Sequence, residues 1–152
     1  MSTSTSIRVG ADLVTVGQVS DSIACFGDRY LRRIYTEQEI ASCAGAPPVT
    51  SAGLAARFAA KEATLKVLRP DGHRPEWRSM EVLRHPGGWC SMSLSGHAAD
   101  LAARAGIGEL AVSLTHEDGI AAAVVVALCG DEDPATPQQS AHGHELASNG
   151  VR

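Results

Sequence analysis

From Ile7 to Val16 the chain reads IRVGADLVTV, a run rich in β-branched residues that predicts a strand. One carboxylate, Asp12, sits in it between Ala11 and Leu13. The segment SDSIACFGDRYLRRIYTEQEIASCAG predicts helix, turn, helix, with Ser20 capping the first piece and TEQE, Thr36 to Glu39, forming a capping box for the second. APPVTSAG, Ala46 to Gly53, breaks the pattern. A long helix follows from about Ser51 to Leu68, and the prolines and glycine of RPDGHRPEW stop it. Next, SMEVLRHPGGWCSMSLSG predicts two short strands around HPGG, and HAADLAARAGIG a helix ended by Gly106. Two apolar strands joined by HEDG close the pattern, expected as a hairpin near the C-terminal edge of the domain.

These elements occupy residues 7–130 as one domain, after a Ser/Thr-rich start at 1–6 that is expected to be disordered. Residues 131–152 are polar and without periodicity, so disorder is the expectation there too. With 44% apolar and 20% charged residues among 152, the chain has the composition of a single globular domain, and 4% aromatic content means a core of Ala, Val, Leu and Ile. A formal charge of −4 leaves no basic footprint, which argues against nucleic acid or an anionic membrane surface as partner. Any anionic ligand must be met locally. The four cysteines are scattered with no C-x-x-C pair, so neither a zinc site nor a redox motif is indicated. No apolar run spans a bilayer and the start lacks signal-peptide character, so a cytoplasmic protein is expected.

The chemistry is concentrated in RFAAKEATLK, Arg57 to Lys66. On a helical wheel Leu54, Phe58, Leu65 and Leu68 make one stripe with Lys61 in its middle, while alanines cover most of the other side. Such a helix is packed nearly all round, so each of its charges needs a partner. A plain reading pairs Glu62 with Lys66 at i, i+4 and lets Arg57 and Lys61 reach solvent. Asp12 tilts the balance. Two carboxylates in apolar settings are costly unless a cation joins them, and hard oxygen ligands suit Mg²⁺ completed by water and substrate phosphate. Arg57, Lys61 and Lys66 would then face phosphate oxygens, with no P-loop or dinucleotide fingerprint present. His116, ending LAVSLTH beside Ser113 and Thr115, reads equally as an exposed turn histidine or as a phosphate donor.

Four segments, VGADLVTV, FGDRYLRRIYTEQEI, RFAAKEATLK, and VSLTH followed by GIAAAVVVA, resemble the signatures of the holo-acyl-carrier-protein synthase family, the small 4′-phosphopantetheinyl transferases. The resemblance spans nearly all of Ile7 to Leu128. It implies an α+β fold, a small antiparallel sheet packed with a long central helix. It also implies transfer of phosphopantetheine from coenzyme A to a serine of an acyl carrier protein, releasing adenosine 3′,5′-bisphosphate. By the same resemblance Asp12 and Glu62 would bind Mg²⁺, Lys66 would neutralise the transferring phosphoryl group and its leaving group, and Glu62 or a metal-bound water would take the serine proton. Arg57, Lys61, Lys66 and His116 would contact coenzyme A phosphates, and small members of the family are homotrimers. This chain departs from the family pattern at Gln18, where an arginine is usual, at Thr15, where glutamate is common, and in RPDGHRPEW and GGWCSMSLSG, which replace Gly-Thr-Gly and Gly-Lys-Pro loops. Arg29, Arg32 and Arg33 are therefore expected to carry the carrier-protein contact. The alternative is a non-catalytic relative that binds coenzyme A or a carrier protein.

Overall fold

A computed structural model describes residues 5–45 and 47–130; the expectations for residues 1–4 and for the C-terminal segment lie outside them. The β-branched run forms β1, Ser6–Thr15, which passes into α1, Val16–Phe26, with no intervening loop. Thr15 therefore caps the helix, accepting from the Gln18 amide at 3.4 Å, and Ser20 lies inside α1 instead of at its start. Short helices α2, Asp28–Ile34, and α3, Glu37–Ser42, follow. The capping box forms as expected: the Glu39 amide donates to Thr36 Oγ1 at 3.2 Å, and the Thr36 amide donates to Glu39 Oε2 at 2.9 Å.

The long helix α4 runs from Pro47 to Leu68, 22 residues, and so begins inside the segment expected to break it. Proline at the first turn forfeits no intrahelical bond, because those amides have no partner in any helix. A 3-10 turn, Trp77–Ser79, leads into the hairpin β2, Met80–Arg84, and β3, Cys90–Leu94. Then come α5, Gly96–Arg104, and the hairpin β4, Ile107–Glu117, and β5, Ile120–Cys129. Its two-residue turn, Asp118–Gly119, has φ of 47° and 78°, the positive pair that matches the twist of antiparallel strands.

All pairings are antiparallel. β2 and β3 stand apart as a two-stranded sheet, and the larger sheet has the order β1-β5-β4. The last strand, β5, is thus the central one of its sheet. Its inward row, Ala121, Ala123, Val125 and Ala127, is fully or almost fully buried against α4, whose Ala55, Ala59, Ala60 and Ala63 are equally buried. Small residues on both surfaces let helix and sheet approach closely, which explains the alanine content of α4.

The approach is tightest at Gly10 of β1, where an added Cβ would overlap the carbonyl oxygen of Ala63. Backbone cannot move aside as a side-chain tip can. Gly10→Ala should destabilise the fold by at least about 1–3 kcal/mol, read from urea unfolding, even though alanine is otherwise the better strand residue. The outer face of the same sheet is the opposite case. Ile7, Val9, Leu13, Ile120, Val124 and Leu128 are all exposed there, from 43% to 64%.

Candidate active site

Alternation along the strands decides which polar groups meet α4. Asp12 pairs with Ala123 and His116 with Ala121, so both side chains fall on the α4-facing side with that buried row. Ser113 and Thr115 point to the other face, so they are not part of a donor group with His116.

Lys66, in the last turn of α4, donates to Asp12 Oδ1 at 2.9 Å and to the Ala11 carbonyl at 2.6 Å. Helical side chains tilt toward the N-terminus, which lets Lys66 reach back over its own helix to β1. Glu62 lies one turn earlier on the same face, half-buried, and makes no ion pair among the described residues; the plain Glu62–Lys66 pairing is replaced by Asp12–Lys66. Asp12 is 20% exposed and Lys66 52%, so the pair sits at the lip of the fold, open to a ligand. Among the described residues no side-chain hydrogen bond or ion pair engages Asp12 Oδ2 or the Glu62 carboxylate. No third His, Cys, Asp or Glu gathers near them among the described residues. A donor set of two carboxylates and nothing softer fits Mg²⁺, which takes its remaining ligands from water and phosphate.

Arg57 and His116 also meet. Both line a cleft of about 300 Å³ with Arg84, Gly88, Cys43 and Cys90. Arg57 is only 6% exposed; it donates to Ser42 Oγ at 2.8 Å and to the Gly53 carbonyl at 3.2 Å, and its Nε is buried with no partner among the described residues. Arg57 makes no ion pair among the described residues, so its charge on the cleft wall is left to attract an anion. Burial pushes the Cys43 thiol up despite the neighbouring Arg57, so this wall of the cleft is an inert thiol.

Lys61 stands apart from both groups. It is fully buried, and its ammonium donates to Glu39 Oε2 at 2.9 Å, to the Trp77 carbonyl at 2.9 Å and to the Met80 carbonyl at 2.6 Å. All three donors are used, so Lys61 has none left for a phosphate, contrary to the sequence expectation. Burial lowers its pKa from the ordinary lysine range, and the Glu39 carboxylate opposes that shift. Glu39 is satisfied in turn by the Thr36 and Val82 amides as well as Lys61. The pair ties α3, α4 and β2 together. TEQE is recognisable in sequence as a cap, but nothing local says that its glutamate meets Lys61; nor does any local signal bring Arg84 into the cleft.

With this geometry in view, residues 8–129 match the family model described as the 4′-phosphopantetheinyl transferase superfamily. The chain belongs to that superfamily. A holo-[acyl-carrier-protein] synthase of Chloroflexus aurantiacus is 41% identical over 133 residues, covering 80% of this chain and 97% of the relative. One from Paramagnetospirillum magneticum is 41% identical over 125 residues, covering 79% and 94%. Among solved structures, the coenzyme A complex of the synthase from Chronobacterium ammoniagenes superposes with a TM-score of 0.72 at 27% identity, covering 84% of this chain and 99% of that one. The Helicobacter pylori enzyme in complex with coenzyme A gives 0.69 at 27% identity, covering 79% and 99%. The fold is the α+β arrangement of these synthases, and the chain is an enzyme of the phosphopantetheinyl transferase class.

Proposed function

We propose that this phosphopantetheinyl transferase moves the 4′-phosphopantetheine arm of coenzyme A onto a serine hydroxyl of an apo acyl carrier protein, releasing adenosine 3′,5′-bisphosphate, in the cytoplasm. The observation that carries the reading is the Asp12–Lys66 contact at the lip of the fold, with Glu62 one turn away. Asp12 and Glu62 would hold Mg²⁺, which when bound supplies charge neutralisation on the pyrophosphate. Lys66 places an ammonium where negative charge grows on the transferring phosphoryl group and its leaving oxygen. Glu62 accepts the serine proton as the hydroxyl oxygen attacks phosphorus. Arg57 and His116 orient the nucleotide end through its phosphates, and Lys61 acts only through the scaffold. Such chemistry is mostly positioning and electrostatics.

Mass spectrometry of an apo carrier protein incubated with this chain, coenzyme A and Mg²⁺ tests the proposal. Gain of one phosphopantetheine group is expected; an unmodified carrier protein under conditions where a known synthase acts would overturn it. Arg29 and Arg33, exposed on α2, carry no ion pair among the described residues and supply positive charge for an acidic carrier protein, with Arg32 only loosely held by Asp28 at 3.9 Å.

The exposed apolar sheet face supports a homotrimer as the working form, because a single copy leaves six large aliphatic side chains in water. Val9→Glu and Val124→Glu should each dissociate the assembly in light scattering while leaving the monomer's helical circular dichroism intact. A wild-type chain that runs as a monomer at micromolar concentration would remove this part of the reading.

A further inference from the structure

A second polar pocket, of about 570 Å³, lies away from Asp12, Glu62, Lys66, Arg57 and His116, none of which lines it. Its walls come from segments far apart in the chain: His73 and Arg74 from the loop after α4, Arg78 from the 3-10 turn, and Ser95 and His97 from the start of α5. His97 Nε2 lies 3.1 Å from the His73 carbonyl, which can only accept, so that nitrogen carries hydrogen and fastens the loop to the helix. The two imidazoles are 6.3 Å apart. Neither Arg74 nor Arg78 makes a side-chain hydrogen bond or ion pair among the described residues, and Glu76 is the pocket's one carboxylate. The first amides of α5 open at the same place, with no side-chain cap from Ser95 and no acidic residue in the first turn. In a chain with a net charge of −4, two exposed guanidiniums without an ion pair among the described residues, two imidazoles and a helix N-terminus line one open concavity.

We propose that this pocket is a separate oxyanion site that takes phosphate, free or as the monoester of a small molecule. Planar guanidiniums supply paired N–H donors matched to phosphate oxygens, Ser95 adds a hydroxyl, and the α5 amides complete a shell of donors. The site is independent of the transfer chemistry, and its test does not use it.

Inorganic phosphate is titrated into the full chain and followed by amide NMR shifts. Shifts at residues 73–79 and 95–98 are expected, with a Kd raised at least about tenfold in the Arg74→Ala/Arg78→Ala variant and unchanged in Lys66→Met. Ser95→Asp provides the control for folding: a carboxylate at the N-cap favours α5, so its Tm should not fall, yet it fills the site with negative charge and should abolish phosphate binding. Glycerol phosphate distinguishes the sources. Tighter binding than inorganic phosphate marks a phosphorylated small molecule, and equal or weaker binding marks free phosphate. Phosphate binding that survives in both variants, shifts confined to the surroundings of Lys66 and Arg57, or no saturable shift at all would overturn the proposal.

Discussion

Replacing Lys66 by methionine is expected to lower the transfer rate by about 10²–10³-fold, the usual cost of losing one donor aimed at charge that develops in the transition state. Its side chain is half in solvent and its partners are Asp12 Oδ1 and the Ala11 carbonyl at the surface, so the fold should survive. The fall should be in kcat more than in KM, since the ammonium matters most when the phosphoryl group is in transit. Arginine should restore only part of the rate, because a planar fork does not replace a compact ammonium bridging a carboxylate and a backbone carbonyl. Steady-state kinetics with a purified carrier protein decide the matter. A Lys66→Met enzyme that retains wild-type kcat would place the phosphoryl group elsewhere.

The second large effect belongs to Lys61 and is one of stability. Lys61→Met should cost about 3–5 kcal/mol, because it leaves Glu39 buried without its cation and strips the Trp77 and Met80 carbonyls of a donor. Adding Glu39→Gln should recover a good part of that loss: a neutral amide oxygen still accepts from the Thr36 and Val82 amides, and no charge is stranded. Denaturant unfolding of the two single variants and the double variant measures the coupling. If Lys61 were instead a coenzyme A ligand, Lys61→Met would unfold like the wild type and lose affinity for the cofactor.

How far the sequence discloses this molecule follows from the range over which each signal acts. β1, the Thr36–Glu39 capping box and the Asp118–Gly119 hairpin are local, and each is written in adjacent residues. α4 starts earlier than the sequence predicts because Pro47 and Pro48 serve as breakers in most settings and as first-turn residues in this one. Strand order is a tertiary property: the final hairpin is legible as a hairpin, but only packing shows that β5 lies between β1 and β4. The same holds for the site. Asp12 and Glu62 stand out because acids in apolar runs are costly, yet the spacing along the helix pairs Lys66 with Glu62, and only the crossing of α4 over β1 hands it to Asp12. Lys61 shows the limit most clearly: a lysine in the middle of an apolar stripe signals that something unusual surrounds it, but a buried carboxylate and a phosphate would leave the same trace in the sequence.

The strand order also bears on how the chain matures. β5 runs between β1 and β4, and the first residues of the sheet, Ser6 and Ile7, pair with Cys129 and Leu128 at its far end. During synthesis β1 and the alanine face of α4 are made early, yet the row that covers them belongs to the last of the described strands to be made. Closing so long a loop carries an entropic cost that local helix formation does not repay, and until it closes the aliphatic side chains of β1 have no strand beside them. The sheet is therefore a late step of folding, and a nascent chain arrested before Ile120 should bind holdase chaperones that release the finished domain.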